Sequence, residues 1–220
     1  MIPWKAKGEF QKLKSEKKWI LALLAVFVPG LLSLAGSMLI QQKTQDLAMR
    51  MVEDMGLAET QMEAVQSVQG FILAIGVIIG ILSIPLFWVL KSAIFHVLSR
   101  ILGSKEGGVT STMHLIAYTY LPFILKGIID LFKGLVYEAP AFEEYMQEMR
   151  PDLFLTLFRT YNIFFWWAFI LMVIAVREQY NLSKKKAVLI ILLPYAAAGI
   201  IQVALTYVGM QLGGAQVAGS

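Results

Sequence analysis

The chain has 220 residues, 58% hydrophobic and 15% charged, with no cysteine and a formal net charge of +4; its mean hydropathy is +0.67. So few charges cannot solubilise a globule of this size. The apolar residues fall in long runs rather than at a helical or strand period, which places the chain in a bilayer. The lack of cysteine excludes disulfides, thiolate metal sites and a cysteine nucleophile. No basic stretch is interleaved with stacking aromatics, which sets nucleic acid aside as a partner.

In chain order, residues 1–18 form a basic segment, with six lysines against Glu9 and Glu16 for a net +4. Residues 19–40 are an uncharged run of 22, and about 20 residues cross a hydrocarbon core of roughly 30 Å. A cleaved signal peptide has an apolar region of only about 7–15 residues, so this run reads as a retained signal anchor. Residues 41–69 are rich in Gln, Ala, Met and Glu, good helix formers that predict a helical hairpin or extensions of the adjoining spans. The second span is 70–90, with an apolar extension to 102. There Lys91, Ser92, His96, Ser99 and Arg100 occupy one half of a helical wheel, which suits an interfacial segment, with Pro85 as the bend.

The third span, 113–136, contains Lys126, Asp130 and Lys133. Residues 137–152 follow with a net charge of −4, then a fourth span at 160–176 and a basic gap at 177–186 of net +3. The fifth span is 187–212, and 213–220 reads as a frayed tail. Gly76 with Gly80, and Gly209 with Gly213, make Gly-x-x-x-Gly pairs suited to close helix approach. The fold class is therefore all-α: a polytopic integral membrane protein with five transmembrane helices forming one membrane domain over 19–212. Lysine and arginine near span ends stay on the cytoplasmic side, which predicts an inside N-terminus, an outside C-terminus and insertion in the cell membrane.

Spacings of four and three put Lys126, Asp130 and Lys133 on one helical face, so the aspartate can bridge both lysines. Each charge costs about 2.5–3.5 kcal/mol at the centre of a lone membrane helix, so the face points at other helices or at water. It reads either as a salt-bridged packing element or as a pathway for ions or lipid head groups. Gly103, Gly107, Gly108 and Thr110 read either as a phosphate- or head-group-binding loop at a helix N-terminus or as a capped turn. His96 and His114 lack metal-ligand spacing, and the acidic residues of 137–152 read as a solvated loop. No cofactor motif and no catalytic motif is present.

An ordered set of residues carries a family resemblance. Gly103, Gly107, Gly108 and Thr110 precede the third span, and Tyr118, Tyr120 and Pro122 lie inside it. The fourth span then runs into Arg177-Glu178-Gln179-Tyr180-Asn181-Leu182-Ser183, a basic cluster, an apolar run and Pro194. With five spans and an inside N-terminus, the set resembles the Yip family, the Ypt/Rab-GTPase-interacting proteins, in its prokaryotic form. In eukaryotic members the resemblance implies trafficking between endoplasmic reticulum and Golgi, with an Asp-Leu-Tyr-Gly-Pro motif that this sequence lacks. In prokaryotic members it implies no Rab partner, and some of them accompany ABC-type export systems.

The expected function is that of a non-enzymatic membrane protein acting through protein–protein contacts or lipid organisation. Its partners would be the bilayer, anionic lipid at the basic segments, and a membrane-protein partner or a second copy. The alternatives are a small transporter or channel, and an accessory subunit of an ABC-type exporter.

Overall fold

A backbone in hydrocarbon finds no water to bond, so each long apolar run closes its hydrogen bonds within itself as a helix. A computed structural model describes residues 5–16, 18–54, 59–148 and 152–217. Among the described residues every regular element is helical: α1 (Ala6–Ser15), α2 (Trp19–Asp54), α3 (Glu59–Ile101), α4 (Val109–Ala117), α5 (Leu121–Val136), α6 (Phe142–Glu148), α7 (Leu153–Thr160), α8 (Ile163–Tyr180) and α9 (Lys184–Val217), with a 3₁₀ turn at Tyr118–Tyr120. Five stretches are long and apolar enough to cross a bilayer: Trp19–Gln45, Gly70–Ile101, Val109–Val136, Ile163–Tyr180 and Lys184–Val208. The protein is a multi-pass membrane protein.

Length separates the helices. The 43 residues of α3 make about 65 Å at 1.5 Å per residue, twice the hydrocarbon thickness, so the helix projects beyond its span. Residues 41–54 and 59–69 are helical continuations of α2 and α3, and 55–58 lie outside the described residues. The helix α9 continues to Val217 through part of the expected tail, and 218–220 lie outside the described residues. The third span is broken into α4 and α5 by the 3₁₀ turn, immediately before Pro122. Proline has no N–H to donate and its ring crowds the carbonyl four residues back, so the chain tightens there.

Contacts set the directions of the spans. Lys18 meets Tyr118, Ser33 meets Asp130, and Lys43 reaches Leu135 and Tyr137, so α2 and α5 run parallel, side by side. Trp19 packs on Trp88 and Leu34 lies beside Gly80, which makes α3 antiparallel to α2. Lys186 meets Leu102, and Lys91 meets Tyr195, so α9 opposes α3. Gln202 bonds Thr160 and Tyr195 touches Met172, so α9 opposes α8 as well. The spans alternate in direction along the chain.

The seam between α2 and α5 is made of glycines. A Cβ on Gly134 would lie 2.5 Å from the Gly36 carbonyl oxygen, and one on Gly127 would lie 2.8 Å from Leu32 Cβ. A Cβ on Gly36 would collide with the Asp130 backbone. The expected pair behaves differently: Gly76 faces open space and Gly80 has room for ordinary contact with Leu34. The surroundings of Gly209 and Gly213 lie outside the described residues. Close approach depends on which glycines face one another across helices, which one-chain spacing does not reveal.

Burial is uneven. Half of the 18 residues of α8 are buried, against 6% and 11% of the most apolar 18-residue stretches of α3 and α9, so α8 is the central stave and the other two face lipid. The outer side of α3 carries exposed Ile72, Ile79, Leu82 and Leu86. The best-packed residues, among them Phe10, Leu115, Ile116, Leu171, Tyr180 and Ile190, cluster where α1, α4, α8 and the start of α9 meet.

Candidate functional site

At that packed end, the basic segments 1–18 and 177–186 come together with a third, smaller one formed by Arg100 and Lys105 at and just after the end of α3. In α1, Ala6 and Phe10 are fully buried and Leu13 packs against the same cluster, because spacings of four and three align them on one helical stripe. Lys14 Nζ donates to the carbonyls of Glu178 (3.2 Å) and Gln179 (3.5 Å), and Gln11 Nε2 donates to Glu178 Oε2 (3.1 Å). The last carbonyls of a helix lack intrahelical partners and carry its negative dipole end, so a lysine is favoured there. Asn181, at φ 49°, ends α8 in the left-handed conformation, and Leu182 N–H returns to Arg177 O at 3.3 Å.

The end of α3 is closed the same way. Gly103, at φ 91°, lets Ser104 N–H reach Ser99 O at 3.0 Å. The Arg100 guanidinium donates to the carbonyls of Ser104 (3.2 Å) and Gly107 (2.7 Å), and Lys186 Nζ donates to Leu102 O (2.7 Å). Ser104 Oγ donates to Tyr180 O at 2.9 Å. The Tyr180 hydroxyl is hydrogen-bonded to His96 Nδ1 (2.6 Å) and to Thr112 Oγ1, and its ring lies on Gly107. Gly107 has φ 78°, and a Cβ there would sit 2.6 Å from Tyr180 Cε1. Outside this lattice, a cleft of about 610 Å³ between α1 and the end of α8 is lined by Lys7, Gln11, Lys14, Glu106, Arg177 and Glu178. Nearby, the Lys18 ammonium hydrogen-bonds Glu16 at 2.7 Å and holds that carboxyl below its ordinary value. Both groups are exposed, so the pair adds little stability.

Deeper along the spans, Lys126 Nζ pairs with Asp130 Oδ2 at 2.5 Å, and Ser33 Oγ donates to the same oxygen at 2.7 Å. Beside this pair lies a second cleft of about 430 Å³ between α2, α3, the 3₁₀ turn, α5, α7, α8 and α9. Its walls include Ile84, Phe87, Phe123 and Phe165, and three cations line it: Lys91, Lys126 and Arg159. Lys91 Nζ lies 4.5 Å from the Tyr120 ring centroid and 5.6 Å from that of Tyr195, within cation–π range of both.

The family model for the Yip1 domain matches residues 3–206. The chain belongs to the Yip1-domain family. No curated protein and no solved structure matches it.

In this Yip1-domain protein the residues that carried the resemblance occupy two places. Gly103, Gly107, Gly108, Arg177 and Glu178 stand at the basic end, with Gly108 as the N-cap of α4, Thr110 exposed beside it, and Tyr180 as the link between loop and helix. Tyr118 donates to Lys18 O at 3.0 Å, Pro122 is buried at the start of α5, and Tyr120 lines the deeper cleft. Pro194 lies within α9 next to Tyr195. Lys133 is exposed, and Asp130 is satisfied by Lys126 and Ser33 instead. Most of the polar half of residues 91–102 turns toward the protein: Ser92 and Ser99 are fully buried and only Arg100 is exposed, while Val97 and Ile101 of the apolar half are exposed. Both serines bond the carbonyl four residues back, which satisfies them inside their own helix.

Sequence reasoning did not assign α1 to the packed core or bring Lys91 and Arg159 to one cleft. The stripe of Ala6, Phe10 and Leu13 is present in the sequence but is only three residues long among six lysines. The cleft has no such signal, because its cations come from helices far apart in the chain.

Proposed function

We propose that the protein is a non-enzymatic component of a cell membrane that organises anionic lipid at a cytoplasmic basic pole. Its N-terminus is inside and its C-terminus outside. The observation that carries this reading is that α1, the 103–108 loop and the α8–α9 turn are hydrogen-bonded to one another at one end. Three basic segments sharing one end are what cytoplasmic retention of Lys and Arg requires, and each exposed cation contributes about 1 kcal/mol of attraction to an anionic leaflet. The trio of Thr112, Tyr180 and His96 has the residue types of a proton relay. However, Thr112 and Tyr180 are each 1% exposed, and their hydroxyls are taken up by bonds to one another, to His96 and to Gly108 O, which suits packing.

With no native cysteine, single-cysteine variants test the topology. Lys185→Cys should resist a membrane-impermeant maleimide in intact cells, and Glu143→Cys should react. Labelling of both from the same side overturns the topology. Replacing Lys5, Lys7, Lys12, Lys184 and Lys185 by Gln should lower the ratio of anionic to zwitterionic lipid recovered with the protein in polymer-bounded native discs, and an unchanged ratio overturns the lipid role. A stoichiometric ATPase recovered in those discs would instead make the protein an exporter subunit. A second function, small-solute transport, is favoured by the juxtaposition of the Lys126–Asp130 pair and the deeper cleft. It requires that Asp130→Asn abolish flux in vesicles while the protein still folds.

A further inference from the structure

The deeper cleft combines two properties that one ligand class satisfies together. Its three cations face one carboxylate neighbour: Lys126 is paired with Asp130, and among the described residues no ion pair forms with Lys91 or Arg159. Lys91 lies about 15 Å along α3 from Ile101 at the basic pole, so it does not join the cations there. It is held instead between two tyrosine rings. The remaining wall is aliphatic and aromatic, and Phe87, at 61% exposure, forms a lip open to the lipid side. A hydrated inorganic anion would answer the charges and leave that wall wetted. An anionic head group on an apolar chain answers both.

We propose that this cleft is a binding site for one anionic phospholipid. The phosphate is seated among Lys91, Lys126 and Arg159, and one acyl chain leaves past Phe87 and Phe123. The site rests on the lipid-organising function for its ligand class. It uses residues distinct from the basic pole, so the two fail independently.

The full chain, reconstituted in nanodiscs of phosphatidylcholine doped with phosphatidylglycerol and examined by native mass spectrometry, should retain phosphatidylglycerol in preference to phosphatidylcholine. Lys91→Met and Arg159→Gln should each weaken retention by about fivefold, the worth of one cation at a lipid phosphate. Lys91→Arg should restore it. Lys133→Ala, which removes a charge from the same bundle but not from the cleft, should leave retention unchanged.

Equal retention of the two lipids, or no effect of Lys91→Met and Arg159→Gln, overturns the site. So does protection of the delipidated protein against heat by inorganic phosphate alone, because that identifies a free-anion site. Should the variants fail to fold, a photoactivatable phosphatidylglycerol on the unaltered chain decides. Cross-links in the peptides around Phe87 and Phe123 support the site, and cross-links confined to α1 and residues 184–186 overturn it.

Discussion

The basic pole and the membrane cleft hold the same kinds of cation and treat them in opposite ways. At the pole, Lys14, Arg100 and Lys186 each donate to backbone carbonyls at or just beyond helix C-termini, so their charges complete the fold. In the cleft, Lys91 lies against the rings of Tyr120 and Tyr195 and within hydrogen-bonding reach of the Tyr195 hydroxyl, and neither it nor Arg159 forms an ion pair among the described residues. The same residue type therefore completes the fold where backbone carbonyls take up its charge, and at Lys91 and Arg159 stands without a counter-ion among the described residues. Charge in a sequence does not separate the two cases; the acceptor does.

Substitutions sharpen this contrast, because those at the pole should cost folding and those in the cleft should not. Gly107→Val should be the most severe, since Val is strained at a φ of 78° and its Cβ would enter the Tyr180 ring. That ring is pinned by hydrogen bonds to His96 and Thr112, so the expected outcome is loss of monodisperse protein on size-exclusion chromatography. Phe10→Ala should cost about 3–5 kcal/mol as a cavity in a fully buried site, read as a fall in melting temperature. Tyr180→Phe should cost about 1–3 kcal/mol, because its hydroxyl's bonds to both His96 and Thr112 are lost, Thr112 keeping only its bond to Gly108 O. Lys91→Met should change stability by no more than about 1 kcal/mol, since the lost cation–π contact is offset by removing a poorly solvated charge. A Lys91→Met protein as unstable as the Phe10→Ala protein would erase the distinction between the regions.

The five spans were legible because four of them are long uncharged runs and the third is interrupted only by Lys126, Asp130 and Lys133, a signal that needs no tertiary context. The Lys126–Asp130 pair was legible for a similar reason, as both partners lie one helical turn apart. Lys133 was misjudged because the competing partner of Asp130 is Ser33, almost a hundred residues away. The polar half of 91–102 shows the same limit from the other side. A wheel separates polar from apolar faces but does not say which one meets protein, and in a membrane the polar face turns inward while Val97 and Ile101 meet lipid. The break at Tyr118–Tyr120 had a local cause in Pro122, whereas the docking of α1 rests on a stripe too short to stand out among six lysines.

The parallel α2–α5 seam has a consequence for biogenesis. Its two strips, around Gly36 and Gly134, are separated by an intervening span of opposite direction, so the first helix cannot find its permanent neighbour until the third has been synthesised and released into the bilayer. Until then Ser33 and the small-residue groove are exposed to lipid, and a chain arrested before residue 130 would be the form most open to quality-control recognition or mispairing.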